Sequence, residues 1–123
     1  MSFHLQIDAE RRFVELRYEG VVDTSTVLEA LRAVQDRAPF DRIRYGLSDF
    51  RNATLAVDKH DLPRFVAAKN SDLFGEARWA FLMDSPRETA IGMLYTTMKE
   101  QLYECEIFST RQAALDWLEV PVR

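Results

Sequence analysis

The fold is decided by residues Arg78–Thr97, which read RWAFLMDSPRETAIGMLYTT. The continuous apolar run Trp79–Met83 is typical of a short β-strand that is covered on both faces. Ser85 then predicts a helix N-cap, with Pro86 at the first helical position and Glu88 at the position of the reciprocal capping carboxylate. A buried strand that leads into a capped helix is half of a β-α-β unit. We therefore predict an α/β fold in which the other strands pack beside this one.

The predicted helix after this strand has a broad apolar surface. Ile91, Leu94 and Met98 recur at spacings of three and four residues, which predicts a buried stripe. Met93 and Tyr95 make the apolar surface wider than one such stripe requires, and this favours a lipid-sized pocket or a partner-binding face. The alternative is that the methionines fill the core and Tyr95 lies flat on the surface.

Length and composition predict one soluble domain. The chain has 123 residues, of which 47% are hydrophobic and 29% are charged, so it can bury one core. A formal net charge of −4 argues against nucleic-acid binding, which needs a cationic surface. No apolar run approaches the roughly 20 residues of a membrane span, and we expect no signal peptide. One cysteine cannot form an internal disulfide, so we expect a cytoplasmic protein.

The chain begins with two amphipathic strands. Apolar and polar residues alternate over Phe3–Ile7 and again over Val14–Tyr18. The short polar link Ala9–Arg12 predicts that the two strands form an antiparallel hairpin. Clean alternation indicates that one face of this hairpin is exposed to solvent, so we place it at the edge of the sheet.

The rest of the chain alternates between helices and strands. The predicted elements are a helix from Asp23 or Thr24 to Pro39, a third strand Ile43–Asp49, a loop Phe50–Val57, a short helix capped by Asp58, a loop Asn70–Glu76, the strand and helix described above, a fifth strand Tyr103–Ile107, and a last helix capped by Ser109 with Gln112. The predicted order is β-β-α-β-α-β-α-β-α, a five-stranded mixed sheet whose first strand is antiparallel and which four helices flank. We expect Trp79, Phe81, Leu94 and Leu115 to be buried in one core.

The order of these elements resembles the STAS family, which includes domains of sulfate transporters and anti-sigma-factor antagonists. Three stretches carry the likeness over nearly the whole chain: the strand that ends at Asp49, Arg78–Met83 with Ile91–Met93 in its helix, and the tail Cys105–Leu118. More closely, the chain is similar to small stand-alone bacterial domains related to the antagonist and to lipid-carrier domains of the CRAL-TRIO type. The resemblance implies a STAS-like fold for residues 1–123.

The resemblance also identifies the place of a phosphorylation switch. In the antagonist branch, the switch is a serine that directly follows an aspartate at the start of the helix after the third strand. The equivalent stretch here, Val57–Asp61, reads VDKHD and has no hydroxyl beside Asp58. Ser48 precedes Asp49 inside a strand, and Thr54 lies in the predicted loop. This departure argues against a phospho-switch in this chain.

Polar side chains follow the predicted parallel strands, at the edge where ligands meet open α/β sheets. Helix N-termini at this edge present backbone N–H groups that favour an anion, and Arg51 and Arg87 are suitable donors to a carboxylate or phosphate. The alternative is that the acidic and hydroxyl side chains only cap helices and the arginines are solvated. We predict a ligand- or partner-binding site that consists of Asp49, Arg51, Asn52, Asp84, Ser85 and Arg87.

No other group of residues predicts a catalytic, metal or cofactor site. Asp58, His60 and Asp61 are close in sequence, but acids at a helix start interact favourably with its dipole, and no second ligand cluster accompanies them. We expect Cys105 to be a small core residue. No acid, base and nucleophile are assembled in a visible motif, so we do not expect an enzyme. The leading hypothesis is a non-catalytic regulatory module that binds another protein or forms a homodimer. The alternative is a carrier or sensor of a small apolar or anionic ligand.

Overall fold

The computed structural model describes residues 2–69, 71–98 and 103–121. In this part of the chain, a five-stranded sheet has the order β1-β2-β3-β4-β5. The strands are β1 (Phe3–Asp8), β2 (Phe13–Asp23), β3 (Tyr45–Ala56), β4 (Arg78–Leu82) and β5 (Glu104–Phe108). The helices are α1 (Thr24–Arg37), α2 (Leu62–Ala68), α3 (Pro86–Thr96) and α4 (Arg111–Leu118), and a 3-10 turn, Lys59–Asp61, precedes α2.

The predicted fold class is confirmed. β1 is antiparallel to β2 at the edge of the sheet, and the other neighbouring strands are parallel. Of the predicted Asn70–Glu76 loop, Asn70 lies outside the described residues. None of the described helices has the length and apolar character needed to cross a membrane.

Two helical starts are confirmed, because the side chains of Asp23 and Ser85 cap α1 and α3. Asp58 caps the 3-10 turn and not the helix α2 itself, which begins at Leu62 without a side-chain cap. The predicted cap of α4 is wrong by one residue. The Thr110 hydroxyl, not that of Ser109, accepts the N–H of Ala113 at 3.2 Å. The Gln112 side chain donates to Asp116 instead of returning to the helix start.

The sheet separates two apolar cores. The larger core lies between the sheet and helices α1, α2 and α3, and it includes Leu16 and Trp79. The smaller core lies between the sheet and α4, and it includes Leu82 and Leu118. Because successive side chains of a strand point to opposite faces, β4 contributes to both cores and is buried throughout its apolar run.

The prediction of one core is therefore wrong for two residues. Trp79 and Phe81 are buried in the larger core, but Leu115 is half-buried against the smaller one, and Leu94 is 50% exposed. The helix α3 presents Gly92 to the sheet. Leu94 then lies about 200° further around the helix axis, since each residue turns the helix by about 100°. The rotation of α3 about its axis, which decides which residues face the sheet, thus depends on the close approach of Gly92. The spacing of the apolar residues does not reveal this contact.

The predicted loop Phe50–Val57 is also wrong, because β3 continues as a strand to Ala56. The segment Asn52–Ala56 pairs with Glu19–Asp23 of β2. β4 ends much earlier, at Leu82 opposite Asp49, so these two paired segments project beyond it as a two-stranded ribbon, called the β2–β3 ribbon below.

Polar residues are tolerated in the second half of β3 because one face of the β2–β3 ribbon is uncovered. Val22 and Leu55 are buried in the larger core on one face. The residues that alternate with them are exposed, and we call them the open face: Glu19, Val21, Asp23, Asn52, Thr54 and Ala56. A β-bulge, seen as a register shift between Arg17 and Glu19, lies at the base of the ribbon.

Candidate functional site

Asp49 and Arg51 form a bidentate ion pair at the base of the β2–β3 ribbon. Arg51 donates from Nε to Asp49 Oδ1 at 3.0 Å and from Nη2 to Oδ2 at 2.9 Å, and its backbone N–H also donates to Oδ1. Burial raises the pKa of Asp49, but the hydrogen bonds from Arg51 outweigh this effect and hold the pKa below its ordinary value. The carboxylate is therefore ionised and held in one position.

Further charged side chains from β2 and α4 lie on the same face of the sheet. Arg111 Nη1 forms an ion pair with Glu15 Oε1 at 2.6 Å, and Arg17 Nη2 lies 3.9 Å from the other carboxylate oxygen of Glu15. Arg17 is the register partner of Asp49 and stabilises its carboxylate electrostatically. We call Glu15, Arg17, Asp49, Arg51 and Arg111 the base cluster. The sequence analysis missed Glu15, Arg17 and Arg111.

Asp84 and Asn52 flank the base cluster. Asp84 is exposed directly beyond β4, and its charge acts on Arg51. Asn52 is exposed on the open face, beyond the bulge. The structure thus brings Asp49, Arg51, Asn52 and Asp84 into one region, at the point where β3 continues past β4.

Ser85 and Arg87 belong to the start of α3 instead. The Ser85 hydroxyl accepts the Glu88 N–H at 3.4 Å, as predicted for the N-cap. The predicted reciprocal bond differs, because the Glu88 carboxylate accepts the Ser85 hydroxyl group and not the Ser85 backbone N–H. Glu88 Oε1 also accepts the backbone N–H of Leu55 at 3.3 Å, and Arg87 Nη1 lies 3.5 Å from the same oxygen. Glu88 therefore connects α3 to the edge of β3 that β4 leaves unpaired.

The larger core contains a buried amine that the sequence analysis also missed. Lys69, the residue after α2, is only 4% exposed. Its Nζ donates to the Tyr103 hydroxyl at 3.2 Å, and the Tyr103 hydroxyl hydrogen-bonds that of Tyr95. The Nζ atom also lies 4.3–5.5 Å from the centroids of four aromatic rings, those of Trp79, Tyr103, Phe81 and Tyr95. These rings form an aromatic cage around the amine.

The position of Lys69 in the helical period was a usable signal. Leu62, Phe65 and Val66 are buried, and Lys69 follows at the next position of the same periodic face. A lysine in the last turn normally stabilises exposed carbonyl groups there, so the buried location is unusual. Periodicity would have placed the side chain inward, although it could not have shown what surrounds it.

Burial changes the protonation of this cluster. It lowers the pKa of Lys69 to about 7, and the nearby Cys105 opposes this shift. Burial also raises the pKa of Tyr95 and Tyr103, so both phenols keep their protons at neutral pH. No carboxylate in the described ranges forms an ion pair with Lys69.

A cavity of about 50 Å³ lies beside Lys69, between the sheet and helices α1, α2 and α3. Its walls are mainly apolar and include Leu31, Phe50, Leu55, Leu62, Phe81 and Ile91. Ser48 also lines the cavity, and its hydroxyl accepts the indole N–H of Trp79 at 2.9 Å. A space of this size is large enough for a few water molecules or a very small ligand.

The broad apolar surface predicted for α3 is divided between the two sides of the helix. Tyr95 is 6% exposed, so the alternative that it lies on the surface is wrong. Met93 and Leu94 point away from the core and are 58% and 50% exposed. In the described residues, Val21 on the open face is the other large apolar side chain with high exposure, at 69%.

Within the same ranges, no group of three or more histidine, cysteine, aspartate or glutamate side chains could hold a metal ion. The three residues that are close in sequence have structural contacts. Asp58 accepts the N–H of His60, and Asp61 accepts the hydroxyl of Thr24 at 2.9 Å. Cys105 is half-buried against the larger core.

Comparisons with known proteins concern the fold. No family model and no curated protein matches the sequence. One similar solved structure is an uncharacterised protein of the DUF3478 family with a SpoIIAA-like fold from Shewanella loihica PV-4, with a TM-score of 0.57 and 13% identity over 94% of this chain and 91% of that chain. Another is the anti-sigma factor antagonist SpoIIAA in its unphosphorylated form, with a TM-score of 0.52 and 18% identity over 95% and 97%.

At these identities the comparisons show a shared fold and nothing finer. The predicted STAS-like fold is confirmed by its likeness to these SpoIIAA-like structures. The relation to lipid carriers of the CRAL-TRIO type stays a prediction.

Proposed function

We propose that this chain is a non-catalytic regulatory module of the STAS-like class that binds a partner protein on the open face of the β2–β3 ribbon. One observation carries the proposal: the ribbon projects beyond β4, and its open face is exposed along its whole length. A sheet face that presents the apolar Val21 among polar side chains is suited to a protein contact. SpoIIAA, which has the same fold, is an anti-sigma factor antagonist, and this supports a regulatory class of function.

The base cluster supports specificity in this interaction. Asp49 and Arg51 are already fixed by two side-chain hydrogen bonds, so a partner would not have to order them. Fixed charges at an interface select partners with complementary charges and disfavour others. The Asp49, Arg51, Asn52 and Asp84 part of the predicted site therefore remains in the proposal, whereas Ser85 and Arg87 are assigned to the start of α3.

The charges on the open face define the partner. Glu19 and Asp23 lie on either side of Val21 along β2, and both are acidic. The complementary surface has an apolar contact for Val21 with basic side chains around it. Two copies of this chain would bring like charges together, so we favour a different protein over a homodimer. We place this module in the cytoplasm of a bacterium.

Quantitative co-purification from lysate of the source organism, followed by calorimetry with the recovered protein, tests this surface. We expect Val21→Lys to weaken binding by at least about tenfold, which corresponds to about 1.4 kcal/mol, because residues at the centre of an interface include the few whose loss costs this much or more. Leu94→Lys is the matched control, because it changes an exposed apolar residue on α3 and should leave binding unchanged. Loss of binding in Leu94→Lys alone would contradict the proposal and place the interface on α3. A native dimer mass that Val21→Lys abolishes would instead identify a second copy as the occupant.

The cavity beside Lys69 favours a second candidate function, a sensor or carrier of a very small ligand. Native mass spectrometry of protein purified from its own host would detect a retained small molecule. A mass equal to that of the bare chain, together with a partner lost in Val21→Lys, would favour the interaction module alone.

A further inference from the structure

We propose that Lys69 is a reversible covalent binding site for a short apolar aldehyde or ketone, which it captures as an imine inside the cavity of the larger core. The site consists of the Lys69 amine, the cavity and the hydroxyl groups of Tyr95 and Tyr103. This site lies on the opposite side of the sheet from the base cluster. The inference is independent of the partner surface proposed above.

The surroundings of Lys69 favour a nucleophilic amine. The side chain is 4% exposed, and its hydrogen-bond acceptor is a neutral phenol, not a carboxylate. Among the described residues no carboxylate pairs with the Lys69 ammonium group, which is therefore poorly stabilised in the apolar interior, so the uncharged amine becomes accessible near neutral pH. A pKa of about 7 means that about half of the Lys69 side chains are uncharged at pH 7. Desolvated lysines of this kind form imines with carbonyl compounds.

The titratable groups that face Lys69 come from several parts of the chain. Tyr95 lies on α3, Tyr103 precedes β5, and Cys105 lies on β5. Both phenols are protonated at neutral pH because burial raises their pKa. Their hydroxyl groups are therefore hydrogen-bond donors that can stabilise the oxygen of a bound carbonyl group. From β4, the neutral rings of Trp79 and Phe81 face the Lys69 amine.

The cavity defines the size and polarity of the ligand. A volume of about 50 Å³ admits a chain of only a few carbon atoms. The mainly apolar walls favour a hydrocarbon tail, and an anionic ligand would lose its hydration there with one cationic partner at most. An imine, in contrast, can be uncharged, so its formation places no further charge in the apolar cavity.

The reaction needs no reagent beyond the ligand. The unprotonated Nζ attacks the carbonyl carbon and forms a C–N bond, and one proton moves from nitrogen to the former carbonyl oxygen. The resulting carbinolamine loses this hydroxyl group and the second nitrogen proton as water, which leaves a C=N bond. Addition of water reverses both steps, so the ligand is bound reversibly and nothing is oxidised or reduced.

The test uses the full chain with butanal and sodium cyanoborohydride, which converts an imine into a stable secondary amine. The lysines of the chain are Lys59, Lys69 and Lys99, so peptide mass spectrometry can assign each adduct. At pH 7 we expect Lys69 to be labelled at least about tenfold faster than the exposed Lys59, because an ordinary lysine is uncharged in only about one molecule in a thousand or fewer. Labelling of Lys69 should saturate with butanal and should reach its maximal rate just above pH 7.

Three controls separate this site from general amine reactivity. Lys69→Arg keeps a cation in the aromatic cage but should remove the saturable adduct. In urea-unfolded protein the preference for Lys69 should disappear, and Val21→Lys should be labelled at Lys69 like the wild type. Equal labelling of Lys59 and Lys69 in the folded chain would overturn the inference. Thermal stabilisation by butyrate, without a Lys69 adduct from butanal, would also overturn it and assign the cavity to an anion.

Discussion

At the scale of single residues, two ionisable side chains with low exposure respond to their surroundings in opposite ways. Asp49 loses solvent but gains three hydrogen bonds from Arg51, so its charged form is favoured. Lys69 is also removed from water, and its one hydrogen bond to a phenol together with the aromatic rings does not compensate for this, so its charged form is disfavoured. The difference lies in the partner, because both residues are removed from water.

The Asp49–Arg51 pair should make stability depend on pH in acid. The pKa of Asp49 is lower in the folded chain than the value of about 3.9 expected in the unfolded chain. Its stabilisation is therefore complete above the unfolded value and is lost as the pH falls through the folded value. We expect the unfolding midpoints of the wild type and Asp49→Asn to differ at pH 6 and to converge progressively as the pH falls below the ordinary aspartate value. Parallel curves over this range would contradict the role of the pair.

Ser85→Ala should lower the free energy of unfolding by about 0.5–2 kcal/mol, because the N-cap hydrogen bond of α3 is lost. Ser109→Ala is the matched control, since Thr110 and not Ser109 caps α4, and it should change stability much less. Chemical denaturation with and without added phosphate measures both effects. Phosphate stabilisation that is present in the wild type and absent in Ser85→Ala would show a ligand contact and contradict a purely structural role.

At the scale of elements, two glycines allow neighbouring elements to pack closely. Gly46 of β3 packs against Trp79 of β4, and Gly92 of α3 packs against Met83, the residue after β4. A Cβ atom on Gly46 of β3 would overlap the Trp79 ring, which is buried and hydrogen-bonded to Ser48. A Cβ atom on Gly92 of α3 would lie 2.5 Å from Met83 Sδ, at the end of a flexible side chain. The contact between β3 and β4 at Gly46 therefore cannot adjust easily, because the Trp79 ring is fixed. The contact of α3 at Gly92 can adjust, because the Met83 side chain is flexible.

This difference predicts unequal effects of two alanine substitutions. Gly46→Ala should cost at least about 1–3 kcal/mol, because the indole cannot move without loss of packing. Gly92→Ala should cost less, since Met83 can change rotamer and alanine gains about 1 kcal/mol of helix propensity over glycine. Urea denaturation of both variants provides the comparison. A larger loss for Gly92→Ala would show that the docking of α3 is more rigid than that of β3 against β4.

At the scale of the whole molecule, one sheet with different faces separates the two proposed sites. The larger core holds Lys69 and the cavity, whereas the other face has α4 and, beyond it, the base cluster and the open face. A partner on the open face and a ligand in the cavity would therefore contact opposite sides of β2 and β3. The β2–β3 ribbon is the element that both sites share.

The buried titratable groups should shape the stability of the whole chain in alkaline solution. Lys69 has a folded pKa of about 7 and an unfolded value of about 10.4, so stability should rise as the pH increases between these values. Above about pH 10 it should fall, because burial raises the folded pKa of Tyr18, Tyr95 and Tyr103 above the unfolded value. Urea denaturation at pH 7, 9 and 11 measures this profile. Lys69→Met should remove the rise between pH 7 and 9, and a rise of the same size in that variant would exclude Lys69 as its cause.

Local sequence determined the elements whose signals lie within a few residues. The run Trp79–Met83, the N-cap at Ser85 and the alternation of the first two strands predicted β4, the start of α3 and the β1–β2 hairpin correctly. These features depend on backbone preferences and on contacts between residues that are near in sequence. The order of the strands and helices along the chain was then sufficient to identify the mixed α/β sheet.

Tertiary structure decided the features that depend on distant residues. The second half of β3 forms because β2 is long enough to pair with it, and its polar side chains are accommodated because no described helix covers the open face. The phase of α3 follows from the close approach of Gly92 to the sheet, which leaves Leu94 exposed. Lys69 became a buried amine because β4, α3 and Tyr103 surround it with rings from other parts of the chain. In each case the deciding contact joins residues far apart in sequence, and local periodicity carries no information about such contacts.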